Sequence, residues 1–150
     1  MTPCVVSASP AHLTGLGHNL RQEDRDEILA ASGLDPMAGL LACAKLTPDL
    51  WAAVIGDEPI AVFGAAPVDS DTAGPWMMAS DRLREHRFWM ARESITWFDR
   101  LALQYRRLTN WVDARNENHA RWLEWLGCDF VETRSLGPFN LPFRRFEYLS

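Results

Sequence analysis

Residues 111–130 read WVDARNENHARWLEWLGCDF, and their pattern decides the fold. Leu108, Trp111 and Val112 predict a buried strand, and Phe130-Val131-Glu132-Thr133 predicts the next one. Between them, Asn116 or Asn118 caps a helix whose His119, Trp122, Leu123 and Leu126 recur at three- and four-residue steps, the period of one buried helical face. Gly127 supplies the left-handed residue that ends such a helix at little cost. A strand, a crossover helix and a strand of this length form one unit of an α/β or α+β sheet.

The pattern upstream of this unit is extended, then helical, then extended again. Cys4–Ala8 predicts a first strand closed by Ser9-Pro10, followed by helical pieces over 11–20 and 22–32, the second ended by Gly33. Asp35-Pro36 is a cap followed by a residue suited to a first helical turn, so a third helix runs over 36–45 with Met37, Leu40 and Leu41 inward. Leu50–Ile55 and Pro59–Ala65 flank Gly56-Asp57-Glu58, a hairpin signal. A polar, turn-rich loop over 66–74 precedes a strand at Trp76–Ser80. The longest helix is expected over 88–105, with Phe88, Ala91, Ile95, Phe98, Leu101, Ala102 and Tyr105 as its apolar stripe and Trp89 and Trp97 to the side. Gly137-Pro138-Phe139-Asn140 is a turn into a last strand at Phe143–Leu149.

One hundred and fifty residues, 47% of them hydrophobic, suit one domain with a substantial core. The longest nearly uncharged run, Ile60–Val68, falls far short of the ~20 residues that span a bilayer, so no membrane span is expected. The opening MTPCVVSASP carries no secretory pattern. Cys4, Cys43 and Cys128 lack metal-ligand spacing and are expected as reduced, buried thiols rather than a disulfide framework or a zinc site. Residues 1–80 hold three basic side chains (Arg21, Arg25, Lys45) against ten acidic; residues 81–150 hold twelve, all arginine, against ten. The net charge of −5 argues against nonspecific nucleic-acid binding.

The stretch Asn116–Gly127 resembles the N-x-x-A-x-x-L-Y-E-K-L-G-F signature of the GNAT (GCN5-related) N-acyltransferases, with Asn116, Glu124, Leu126 and Gly127 on matching positions. His119 stands at the alanine position, Leu123 at the tyrosine and Cys128 at the phenylalanine. The order of strands and helices is similar to that family along the whole chain. The resemblance implies an α+β fold with a mixed, twisted sheet of about six or seven strands and helices on both faces. It also implies a cofactor cleft between the strand ending near Ser80 and the strand ending near Val112.

In the family, a glycine-rich R-x-x-G-x-G/A loop holds the pyrophosphate of acetyl-coenzyme A on backbone amides. The corresponding residues here, Ser80-Asp81-Arg82-Leu83-Arg84-Glu85-His86-Arg87, contain no glycine. If acetyl-coenzyme A binds, the resemblance assigns Ser80, Arg82, Arg84 and Asn116 to it. Leu123 has no proton to give where the family often uses a tyrosine as general acid, so no catalytic residue is assigned. His119 is expected as a packed residue.

Four motifs, Leu20-Arg21-x-x-Asp24-x-x-Glu27, Pro59–Gly64, Trp76–Ser80 and Asn116–Gly127, are similar to a group of small GNAT-like proteins of short-tailed bacteriophages. That resemblance implies an internal virion or head-assembly role without a cofactor, in the host cytoplasm during phage assembly or in the virion. The partners would be copies of the chain itself or head, core or tail proteins, met through interface-forming Trp and Arg. The alternative is an active acetyl-coenzyme A-dependent N-acetyltransferase acting on an amine of a protein or small molecule.

Overall fold

In the computed structural model, which describes residues 1–149, the chain forms a seven-stranded sheet with helices on both faces. In chain order the elements are β1 (Cys4–Ser7), α1 (Pro10–Gly17), α2 (Gln22–Ser32), α3 (Pro36–Lys45), β2 (Trp51–Ile55), β3 (Glu58–Pro67) and β4 (Thr72–Ala79). A 3-10 helix (Asp81–His86) then runs into α4 (Arg87–Gln104), followed by β5 (Arg107–Asp113), α5 (Glu117–Trp125), β6 (Asp129–Leu136) and β7 (Leu141–Leu149). The strand order is β1-β2-β3-β4-β5-β7-β6. All pairings are antiparallel except β4 with β5. This is the α+β mixed sheet that the strand and helix pattern predicts.

Local chemistry places the helix ends. Ser9 and His12 form a reciprocal capping box ahead of Pro10, Asp35 accepts from the Ala38 N–H at 2.9 Å, and Asn116 caps α5. Gly33 and Gly127, at φ 73° and 99°, end α2 and follow α5 in the left-handed region expected of them. The β2–β3 turn is tighter than the three residues expected: Ile55 pairs with Glu58, leaving only Gly56-Asp57 between the strands.

Alternation along the strands divides the core in two. Ala53, Ala61 and Phe63 face α4 and α5, where Met90, Trp97, Phe98 and Leu123 meet them. Ala52, Val54 and Val62 face the other way, against Leu16, Ile28 and Leu40 of the N-terminal helices.

Three expectations are corrected. β4 begins at Thr72 rather than Trp76, so most of the 66–74 loop is strand. Gly74 reads as a turn residue, but it stands in the strand because β5 approaches there; a Cβ would lie 3.2 Å from the Thr109 carbonyl oxygen. The buried face of α4 carries Met90, Ser94, Trp97 and Phe98, while Phe88 is 70% and Ile95 44% exposed. Ser94 reads as polar, yet its hydroxyl donates to the Met90 carbonyl at 2.7 Å and so enters the core satisfied. Among the cysteines, Cys128 is buried and Cys43 half-buried, but Cys4 is exposed at the start of the edge strand β1.

The β6–β7 turn docks on the end of α2. Gly137, at φ 77°, lies so close that a Cβ would overlap the Ala30 carbonyl oxygen. Gly137→Ala is therefore expected to destabilise the fold by about 2–4 kcal/mol, measured by urea denaturation. An exposed positive-φ control, Gly56→Ala, meets no atom within 4 Å and is expected to lose only about 1–2 kcal/mol.

Candidate active site at the open seam of the sheet

β4 and β5 are parallel neighbours over only two residue pairs, Thr72 with Arg107 and Ala73 with Leu108. Beyond them the strands diverge, and their facing backbone groups need other partners. Three side chains supply them. Asn110 donates from Nδ2 to the Pro75 carbonyl at 3.1 Å, Asp24 accepts from the Ala79 N–H at 2.8 Å, and Glu27 accepts from the Asp113 N–H at 2.8 Å. Arg21 completes the bridge: its N–H donates to the Ala79 carbonyl at 2.9 Å, and its guanidinium grips Asp24 through two 3.0 Å bonds. Spacing of three residues along α2 puts Asp24 and Glu27 on the face that meets this seam, with Arg21 at the helix N-cap.

A cavity lies on each side of the seam. The first, about 420 Å³, opens between the 3-10 helix, the start of α4 and α5; Arg84, Arg87, Asn116 and Trp122 line it. The second, about 350 Å³, lies between the sheet, α2 and α3; Glu27, Cys43, Trp76 and Trp111 line it. Met77 and His119 line both. The two cavities therefore share a wall at the seam.

The seam residues carry unusual electrostatics. Burial lifts the Glu27 carboxyl to about 7. The Asp24 and Asp113 carboxylates add to that rise, while the Asp113 N–H and the Arg21 charge oppose it. Only Oε1 of Glu27 is engaged; Oε2 has no hydrogen bond among the described residues. Burial lowers His119 to about 4, helped by Arg21, so its imidazole is neutral at physiological pH. Among the described residues, His119 Nδ1 and Asn116 Nδ2 are both buried without a partner, whereas Asn116 Oδ1 accepts the His119 N–H of the cap at 3.2 Å.

The four residues assigned to a cofactor divide. Arg84 and Asn116 stand together on the wall of the first cavity. Ser80 is buried beside Leu20, with which it forms an isolated bridge, and its N–H donates to the Ile60 carbonyl at 3.0 Å. Arg82 turns outward to an ion pair with Glu58 at the start of β3. The glycine-free loop is wound into the 3-10 helix, and the Leu83 N–H already bonds to the Ser80 carbonyl. Leu123 is 1% exposed in the core, away from both cavities.

Sequence reasoning misses Glu27 as a functional candidate. The signal was the Arg21, Asp24, Glu27 spacing on one helix face, but a charged helix face ordinarily points to solvent. His119 is packed against Trp122 as expected, with ring centroids 5.3 Å apart. Its place between two cavities is a tertiary fact.

The sign of the Glu27 shift sets a stability test. Between about pH 4.5 and 7 the folded chain holds a proton on Glu27 that the unfolded chain has released, so this group lowers stability as pH rises through that window. His119 acts oppositely between about pH 4 and 6.5, where the unfolded chain binds the extra proton. Comparison of Glu27→Gln with the parent cancels the histidine contribution. The variant, whose amide oxygen still accepts from Asp113, is expected to gain about 1–3 kcal/mol over the parent at pH 8. That gain should vanish near pH 4, as read from urea midpoints.

No protein-family model matches the sequence, and no curated protein matches it. Solved structures do match over nearly the whole chain. Ard1 from Thermoplasma volcanium superposes with a TM-score of 0.79 at 10% identity, covering 99% of this chain and 98% of that one. A GCN5-related N-acetyltransferase from Kribbella flavida gives 0.71 at 16% identity, with 99% and 98% covered. A GNAT-superfamily phosphinothricin acetyltransferase from Sinorhizobium meliloti, solved in complex with AcCoA, gives 0.71 at 14%, with 99% and 89% covered. The seven-stranded sheet, its seam and its flanking helices constitute a GNAT fold.

Proposed function

We propose that this chain is an acetyl-coenzyme A-dependent N-acyltransferase that receives the acyl donor in the cavity beside α4 and α5 and the amine in the cavity beside α2 and α3. The observation that carries this reading is the pair of cavities that back onto one another across Met77 and His119, with Glu27 on the amine side. The similarity in fold to acetyltransferases supports it.

The residues beside α4 fit an acyl donor in their own way. Acetyl-coenzyme A supplies a thioester carbonyl activated toward an amine. Asn116 Nδ2 is a buried donor without an acceptor, suited to a carbonyl oxygen. Arg84 and Arg87 present charge to phosphates from side chains, where the 3-10 helix lacks a glycine cradle. Arg82 and Ser80 take no part in this reading, because neither lines the cavity. Glu27, with one oxygen open and an affinity for protons matched to neutral pH, takes the proton released by the attacking amine. Met77 and the neutral His119 add no charge to the wall between the two cavities.

A phage assembly role rests on the glycine-free turn, the buried Leu123 and the resemblance of the four scaffold motifs. The same turn leaves the cavity open, and the open seam is what chemistry requires, so the transferase is the better supported reading.

Titration calorimetry with acetyl-coenzyme A decides between them. Binding tighter than ~100 μM, or about −5.5 kcal/mol, is expected; it should weaken with added salt and weaken at least severalfold in Arg84→Ala. Multiple-turnover acetylation of an amine should rise with pH through about 7 as Glu27 ionises. Glu27→Gln should reduce it by ~10²–10⁴. No binding, together with recovery of the chain in virions, would establish the assembly role instead.

A further inference from the structure

We infer that the acceptor is a small primary amine with an apolar body and no carboxylate, its nitrogen seated against Glu27 in the cavity between the seam, α2 and α3. This rests on the transferase reading for the acyl donor and on the cavity alone for the amine.

Size and lining select the class. At about 350 Å³ the cavity is at the lower end of the ~300–1,000 Å³ range of small-molecule sites. Its walls are Trp76, Trp111, Phe143, Leu34 and Leu136, which favour an apolar or aromatic body. The polar groups among the walls are largely committed elsewhere. Trp76 donates from Nε1 to Thr47 Oγ1 at 2.9 Å, Asn110 Nδ2 bonds to the Pro75 carbonyl, and Ser32 Oγ donates to the Ile28 carbonyl at 2.7 Å. A peptide backbone or a polyhydroxylated acceptor would enter with few partners and lose its hydration.

Charge narrows the class further. No lysine or arginine lines this cavity, and the one histidine is neutral. A carboxylate or phosphate on the acceptor would be buried without a counter-ion. The acidic side is asymmetric: Asp24 is closed by Arg21 and the Ala79 N–H, while Glu27 keeps Oε2 open. One open carboxylate oxygen suits one ammonium group. The second and third ammonium groups of a polyamine would find no second open carboxylate and, beyond the His119 imidazole, mostly apolar walls. In the transfer itself, the neutral amine nitrogen forms the new C–N bond, the C–S bond breaks with its electron pair on sulfur, the nitrogen's proton passes to Glu27 Oε2, and coenzyme A leaves as a thiolate that takes its proton from solvent.

The test is calorimetric titration of the full chain at pH 8 with 2-phenylethylamine, L-phenylalanine and spermidine, each with and without acetyl-coenzyme A. 2-Phenylethylamine should bind at least tenfold tighter than the other two. Glu27→Gln should weaken it at least tenfold. Ala31→Arg adds a cation at an exposed position on the cavity wall; it should weaken the amine and strengthen L-phenylalanine. Equal or tighter binding of L-phenylalanine or spermidine overturns the inference. So does an amine that fails to bind, or one that binds both variants as well as the parent. If the amine binds as described while acetyl-coenzyme A does not, the amine site stands and the transferase reading falls.

Discussion

The separation of β4 from β5 is the constraint on which the rest of the molecule depends. A parallel pair that stops after two residues leaves strand backbone facing a gap, and an unsatisfied buried group costs about 1–3 kcal/mol. Here α2 reaches into the gap and closes its two lips, Asp24 on the Ala79 N–H and Glu27 on the Asp113 N–H. Those bonds hold only if α2 is seated closely. Two glycines permit that: Gly39 of α3, where a Cβ would overlap Ile28, and Gly137 of the β6–β7 turn against the Ala30 carbonyl. The seam, the packing of α2 on α3 and the docking of the last hairpin form one arrangement.

The same arrangement sets the chemistry. Side chains that stitch a seam are withdrawn from water, and desolvation favours the neutral form of both Glu27 and His119. Their proton affinities move apart in opposite directions from one cause. Glu27 is left near the pH at which proton transfer is efficient, and His119 is left as a neutral spacer. The charge asymmetry along the sequence becomes an asymmetry in space. Acidic Glu27 and Asp24 line the cavity beside α2 and α3 without a lysine or arginine, whereas Arg21, Arg84 and Arg87 outnumber Glu23 and Asp81 in the one beside α4 and α5.

The turn after β4 shows what a loop without glycine does with its own backbone. Without glycine, the chain winds into a 3-10 helix whose amides begin to satisfy each other. Any phosphate must then be met by side chains. Of the arginines carried by this segment, Arg84 and Arg87 face the cavity, and Arg82 is held aside by Glu58.

Much of the fold was legible because it is written in local signals. The caps at Asp35 and Asn116, the stops at Gly33 and Gly127, and the apolar runs of β2 and β3 around their glycine turn depend on neighbours within a few residues. They place the helices and strands, and the family resemblance laid on that order is what singles out Asn116 and Arg84. The sequence by itself determined the α+β architecture and the absence of a glycine cradle or a proton donor at Leu123. Tertiary structure alone decided that Ser94 is buried and Phe88 exposed on α4, that Gly74 lies in a strand, and that Glu27 faces a cavity rather than solvent. Each of these turns on a partner distant in sequence: the sheet beneath α4, β5 beside Gly74, and the Asp113 N–H 86 residues beyond Glu27. Local periodicity cannot register a neighbour brought in by the crossing of another strand, and the site consists almost entirely of such neighbours.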